Sequence, residues 1–149
     1  MRGLRQRDPE PKDELVMALR RVLVVDDNAD NLDSLCELLR AWGYEAEAAQ
    51  DGKRALALVA SWHPLIVVMD LGLPDGDALD VIQRIKADDD DIVIIAFSGW
   101  KHLEVAARAA GAGAFVLKPD LDSLESLLAR RRPAMAQRGP VGTRKMRTA

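Results

Sequence analysis

The stretch that decides the fold is residues 65–70, Leu-Ile-Val-Val-Met-Asp, in which five consecutive apolar residues end on a carboxylate. A strand that is apolar at every position is typical of a parallel sheet covered by helices on both faces. Similar runs lie at 22–25, 92–96 and 114–117, with a weaker one at 44–48. Segments with the apolar spacing of helices separate these runs. The pattern predicts an α/β fold built from five βα units around a five-stranded parallel sheet.

Five helical segments alternate with these strands. We expect them at about 28–42, 53–61, 77–87, 101–110 and 121–131. Gly43 and Gly111 stand just beyond two of them, where helices commonly end. Cys36 falls in the apolar stripe of the first helix, and we interpret it as a small buried residue.

Length and charge describe one acidic domain with basic ends. The 149 residues suit a single domain. Residues 22–129 hold 8 Lys and Arg against 20 Asp and Glu, whereas residues 130–149 hold 7 basic residues and no acidic one. An acidic centre repels nucleic acid and attracts divalent cations. We predict an arm at 1–20, the domain at 21–131, and a flexible basic tail at 132–149 with no output domain.

The composition also argues against a secreted or membrane protein. No apolar run approaches the roughly 18 residues of a transmembrane helix, and the N-terminus carries no apolar signal region. The single cysteine leaves no partner for an internal disulfide. We therefore expect a cytoplasmic protein without a membrane span.

Polar side chains follow four of the predicted strands. Asp26 and Asp27 come after the first strand, Asp70 after the third, Ser98 after the fourth and Lys118 after the fifth. The carboxyl ends of parallel strands meet at one edge of the sheet, where ligands of such folds bind. Three carboxylates there repel one another unless a cation compensates them, and oxygen ligands suit Mg²⁺. With a hydroxyl and an ammonium beside them, they predict a site for a phosphoryl group.

The stretches that hold these residues resemble the receiver domain of two-component response regulators. They are Val24-Val25-Asp26-Asp27-Asn28, Val68-Met69-Asp70-Leu71-Gly72-Leu73-Pro74-Asp75-Gly76, Phe97-Ser98-Gly99 and Phe115-Val116-Leu117-Lys118-Pro119. The resemblance covers about residues 21–131. It implies a flavodoxin-like, doubly wound (βα)5 fold with strand order 2-1-3-4-5. It also implies a phosphoacceptor that performs only self-phosphotransfer and slow autodephosphorylation, and is not otherwise an enzyme.

The resemblance implies a role for each carboxylate. Asp70 would accept a phosphoryl group from a sensor histidine kinase or a histidine phosphotransfer protein. Asp27 and Asp70 would bind Mg²⁺ directly, with the Gly72 carbonyl as a third protein ligand. Asp26 would act on the ion largely through water.

Further residues match the switch of the family. Ser98 would donate a hydrogen bond to a phosphoryl oxygen, and Lys118 would pair with the phosphoryl group. The peptide bond that matches Lys118-Pro119 is usually cis in this family. Phe115 matches the aromatic rotamer switch. Asp120 stands where the family often has an aromatic residue, which is a departure from the family pattern at the start of the last helix.

The resemblance also implicates two positions in the loss of the phosphoryl group. Gly72 and Trp100 lie two residues beyond Asp70 and Ser98, where side chains flank the path of the attacking water. Glycine has no group to orient that water, and the indole could shield the phosphoryl group, so we expect slow self-dephosphorylation. A role of Trp100 as a docking anchor is an equally open alternative.

The sequence alone is compatible with several functions. We expect a single-domain regulator that signals through a downstream protein target, without a nucleic-acid output domain. A receiver excised from a hybrid kinase would have the same sequence pattern. A receiver that serves as an unphosphorylated docking module is the other alternative, and phosphate incorporation at Asp70 distinguishes it.

Overall fold

A computed structural model describes residues 19–73 and 77–131. Most of the predicted arm and the whole predicted tail lie outside the described residues, as do residues 74–76 of the motif at 68–76. Within the described part of the chain, no helix has the length and apolar character needed to cross a membrane.

The five predicted strands form one parallel sheet. They are β1 (Arg21–Val25), β2 (Glu45–Ala49), β3 (Ile66–Met69), β4 (Val93–Ser98) and β5 (Ala114–Leu117). Their order is β2-β1-β3-β4-β5, and all four pairings are parallel. The fold class and the strand order are therefore confirmed. The carboxyl ends of all five strands meet at one edge.

In the described part of the chain, four α-helices connect the strands and a fifth follows β5. They are α1 (Ala29–Ala41), α2 (Gly52–Trp62), α3 (Ala78–Asp88), α4 (Glu104–Ala110) and α5 (Leu121–Arg131). Side-chain caps fix the starts of α1 and α2, since Asn28 accepts a hydrogen bond from the Asn31 amide and Asp51 from the Arg54 amide. Residues 101–103 form a single 3₁₀ turn ahead of α4, so the α-helix starts three residues later than the sequence predicts.

Two apolar clusters cover the two faces of the sheet. Alternate residues of β3 supply both, because Ile66 and Val68 belong to the cluster beneath α1 and α5, whereas Val67 and Met69 belong to the one beneath α2, α3 and α4. All four residues of β3 are buried, as the continuous apolar run predicts. Cys36 is buried in the first of these clusters, and that burial raises the pKa of its thiol. A buried thiol with a raised pKa fits the structural interpretation of this residue.

Candidate functional site

The end of β1 delivers two carboxylates with different surroundings. Asp26 is buried, and its Oδ1 accepts a hydrogen bond of 3.0 Å from the Asn28 amide. Because Asn28 also caps α1, the Asp26 carboxylate is anchored to the start of that helix. Asp27, the next residue, is exposed at the same edge of the sheet.

Asp70 at the end of β3 completes a group of three carboxylates. One carboxylate oxygen from each of Asp26, Asp27 and Asp70 can be chosen so that all three lie within 4.8 Å of one another. The fold thus brings together residues that are more than forty positions apart in the chain. Hard oxygen donors at this spacing fit a small divalent cation such as Mg²⁺.

Lys118 at the end of β5 reaches back into this group. Its Nζ lies 3.2 Å from Asp26 Oδ2 and 3.5 Å from Asp70 Oδ1. The Lys118 amide also donates a 2.9 Å hydrogen bond to the Ser98 carbonyl, and the Lys118-Pro119 peptide is cis. The ammonium therefore bridges two of the three carboxylates and offsets part of their mutual repulsion.

The environment of Asp70 raises the pKa of its carboxyl group above the ordinary value of 3.8. Burial is the main cause, because it disfavours the charged form, and the charge of Asp26 acts in the same direction. The Lys118 ammonium and the hydrogen bond from the Gly72 amide, at 3.3 Å, act in the opposite direction. A more basic carboxylate oxygen is a stronger nucleophile, which suits an acceptor of a phosphoryl group.

Ser98 lies at the same edge, fully buried at the end of β4. Its Oγ accepts a 3.0 Å hydrogen bond from the Trp100 amide, so its hydroxyl proton can be donated elsewhere. The Trp100 side chain is 58% exposed and meets the ring of His102 edge-on. Gly99 has no atom within 4 Å of the position a Cβ would take, so a small side chain fits there.

Phe115 lies farther from the carboxylates, on the adjoining strand. It pairs in register with Ala96 and is half-buried against the cluster beneath α2, α3 and α4. The alternation of β4 places Ser98 on the same face of the sheet as Ala96. Ser98 and Phe115 therefore lie on the same face of the sheet, with the small residue Ala96 directly opposite Phe115.

The structure contains two features that sequence reasoning missed. Lys118 Nζ lies 5.6 Å from the centroid of the Phe97 ring, which borders a groove of about 340 Å³ between α1 and the start of α5. The signal for this contact was an aromatic residue directly before Ser98. Asp120 is the second feature: its carboxylate accepts hydrogen bonds from the Ser123 amide and hydroxyl, which lower its pKa. A capping carboxylate therefore starts α5 where an aromatic residue is common.

The described geometry thus brings Asp26, Asp27, Asp70 and Lys118 into one group and places Gly72 beside Asp70. The catalytic, metal-binding and switch roles of these residues stay predictions, as do those of Ser98, Phe115 and Trp100.

Comparison with curated proteins identifies regulators of greater length. The chain is 38% identical over 122 residues to the response regulator MprA of Mycolicibacterium vanbaalenii. This alignment covers 80% of the chain and 52% of MprA. It is 35% identical over 125 residues to the transcriptional regulatory protein PrrA of Mycobacterium tuberculosis, covering 83% of this chain and 53% of PrrA. The chain thus spans about half the length of these relatives. The expectation of a regulator without a nucleic-acid output domain, acting only through a separate protein target, is therefore wrong: the relatives extend well beyond the matched part, and PrrA is a transcriptional regulator.

Comparison with solved structures and with protein families agrees with the fold. The response regulator TrrA from Thermotoga maritima, solved in complex with Mg²⁺-BeF, superposes with a TM-score of 0.71 at 28% identity, covering 75% of this chain and 98% of TrrA. The family described as "Response regulator receiver domain" matches residues 22–129. This match begins at the second residue of β1, includes the other four strands and ends two residues before the end of the last helix. The chain therefore belongs to the response regulator receiver domain family.

Proposed function

We propose that Asp70 accepts a phosphoryl group from the phosphohistidine of a sensor histidine kinase or a histidine phosphotransfer protein, and that this changes a surface of the domain. The observation that carries the proposal is the convergence of three carboxylates and one ammonium at the carboxyl edge of the sheet. Such a group combines a nucleophile with the charges that a transferring phosphoryl group requires.

The transfer is a single displacement at phosphorus. An Asp70 oxygen attacks the phosphorus atom, the O–P bond forms, and the N–P bond of the donor breaks. The bonding electrons stay on the leaving imidazole ring, whose other nitrogen carries a proton, so the products are an aspartyl phosphate and a neutral histidine. Lys118, already 3.5 Å from Asp70 Oδ1, is placed to pair with the transferred group. The Ser98 hydroxyl would donate to a second phosphoryl oxygen.

The residues present fit Mg²⁺. Asp27 and Asp70 would hold the ion directly together with the Gly72 carbonyl, and Asp26 would act through water. When bound, the ion supplies positive charge that neutralises phosphoryl oxygens. The Mg²⁺-BeF complex of the relative TrrA supports this assignment.

The switch would run through Ser98 and Phe115. Movement of the Ser98 hydroxyl toward the phosphoryl group would open space behind it, and Phe115 would turn into that space beside Ala96. The altered surface would be that of α4, β5 and α5. Amide exchange measured with and without beryllofluoride tests this, and changes confined to the loops around Asp70 would contradict it.

The chain would process no separate substrate beyond its own phosphorylation and slow dephosphorylation. Gly72 offers no side chain that could orient water toward the phosphoryl group. The exposed Trp100 indole follows Ser98 by two residues and is placed to shield the group or to anchor a partner.

Incubation of the chain with Mg²⁺ and a small phosphoryl donor such as phosphoramidate tests the proposal. We expect intact-mass spectra to show one added phosphoryl group, absent in Asp70→Asn and present in the matched control Asp91→Asn, an exposed aspartate in the α3–β4 loop. An unmodified wild type that still binds a partner would instead support an unphosphorylated docking module.

A further inference from the structure

We propose that Phe97 is a positioning residue for Lys118, which it holds at Asp70 through the face of its aromatic ring. The proposal rests on the proposed function and adds a residue to it. Lys118 Nζ lies 5.6 Å from the Phe97 ring centroid while it also lies 3.2 Å from Asp26 Oδ2 and 3.5 Å from Asp70 Oδ1. One ammonium thus contacts an aromatic face and two carboxylates together.

Phe97 is the rigid member of this contact. It is 7% exposed, pairs in register with Val116 and packs in the cluster beneath α1 and α5. The Lys118 side chain is 27% exposed and has four rotatable bonds, so ordering it costs conformational entropy. A ring that is already fixed by the core lowers the number of alternative positions that the ammonium can take.

A groove beside the site gives the Lys118 ammonium space in which to move away from Asp70. Lys118 and Phe97 both line this groove, together with Leu35, Leu38 and Leu121, and the groove opens to solvent. An ammonium on its border has room to turn away from Asp70 into water. The electron-rich ring face attracts the cation and opposes that movement.

An aliphatic residue such as leucine would fill most of the same space in the core but would not attract the charge. At a partly exposed site, the attraction between a ring and an ammonium changes an equilibrium constant by about two- to fivefold. Phe97 therefore sets how often Lys118 is available to a phosphoryl group on Asp70.

Two readouts test the proposal on the full chain. The first is the NMR chemical shift of the Lys118 ε-methylene protons in EDTA, which the ring current of Phe97 displaces. We expect this displacement in the wild type and its loss in Phe97→Leu. The second is the affinity for beryllofluoride in Mg²⁺, measured with phenylalanines of increasing fluorination at position 97, which withdraw electrons from the ring face with little change of shape.

We expect the beryllofluoride affinity to fall stepwise with fluorination. It should be about two- to fivefold weaker in Phe97→Leu and close to wild type in Phe97→Tyr, which keeps the aromatic face. Ile95→Val is the packing control, because Ile95 lies two residues earlier on the same strand and in the same cluster. This control should leave the affinity unchanged.

Two results would overturn the proposal: Lys118 protons without a ring-current displacement, or a constant affinity across the fluorinated series in a protein that binds beryllofluoride. A wild type that neither binds beryllofluoride nor takes up a phosphoryl group would refute the proposed function. In that case the chemical shifts in EDTA still decide whether Phe97 holds Lys118.

Discussion

Replacing Lys118 with methionine tests the electrostatic balance of the site. The ammonium lies 3.2 Å from Asp26 Oδ2 and 3.5 Å from Asp70 Oδ1. At an effective dielectric constant of about 20, each contact is worth roughly 5 kcal/mol before desolvation. Repulsion between two carboxylates about 5 Å apart is on the order of 3 kcal/mol on the same scale. The variant keeps this repulsion and loses the attraction that offsets it.

The net effect is smaller than these gross energies, because the ammonium is also desolvated. Breaking a buried ion pair costs about 3–5 kcal/mol, and an exposed pair about 0–1 kcal/mol. The side chains of Lys118, Asp26 and Asp70 are 27%, 8% and 14% exposed, which is between these limits. We expect Lys118→Met to lower the free energy of unfolding by about 1–3 kcal/mol in EDTA at neutral pH.

Urea denaturation of the wild type and of Lys118→Met, in EDTA and in excess Mg²⁺, measures this difference in the free energy of unfolding. Because Lys118 and a cation compensate the same carboxylates, Mg²⁺ should stabilise the variant more than the wild type. Lys101→Met is the matched control, since Lys101 forms an exposed ion pair with Glu104 and its loss should change stability little. Equal losses in both variants, or equal stabilisation of wild type and Lys118→Met by Mg²⁺, would refute the reasoning.

Three further predictions concern the metal, the lifetime of the phosphoryl group and the last helix. Mg²⁺ at about 10–100 times its dissociation constant should stabilise the wild type by roughly 1.5–3 kcal/mol in thermal melts, and Asp27→Ala should lose most of this gain; a melt that is the same in EDTA and Mg²⁺ would contradict it. Trp100→Glu and Gly72→Asn should each speed the Mg²⁺-dependent decay of phosphorylated protein several-fold, and unchanged decay in both would favour a docking role for Trp100. Because the folded state lowers the pKa of Asp120, its contribution is present above the ordinary value of 3.8 and is lost as the pH falls below it. Asp120→Ala should therefore lower the melting temperature at neutral pH, by an amount that shrinks in acid.

The sequence predicts the sheet well because burial leaves a strong local signal. The apolar run before Asp70 marks the central strand, and β-branched runs mark its neighbours. Local patterns predict the ends of strands and helices less well. β4 continues to Ser98, two residues beyond the expected end at residue 96, because Phe97 still follows the alternation between the two faces of the sheet. The 3₁₀ turn at 101–103 has no apolar spacing that distinguishes it from the helix after it, so the sequence predicts one helix from residue 101.

Side-chain contacts between distant elements are harder to predict. Parallel topology brings the ends of β1, β3 and β5 to one edge, so the sequence predicts which residues are neighbours. It does not predict distances, and the bridge from Lys118 to Asp26 joins residues 92 positions apart. The cap formed by Asp120 is local, and a carboxylate three residues before a serine at a helix start could have indicated it.

Consecutive residues of β4 connect the candidate site to opposite faces of the sheet. Phe97 points into the cluster beneath α1 and α5, where its ring contacts the Lys118 ammonium. Ser98 follows the alternation toward the other face, where Phe115 packs against the cluster beneath α2, α3 and α4. The first of these contacts adjoins Asp70, since Lys118 Nζ lies 3.5 Å from its Oδ1. If Asp70 is phosphorylated as we propose, the change of charge would act on both helical layers. It would act through the ammonium and the Phe97 ring on one face, and through the proposed switch pair of Ser98 and Phe115 on the other.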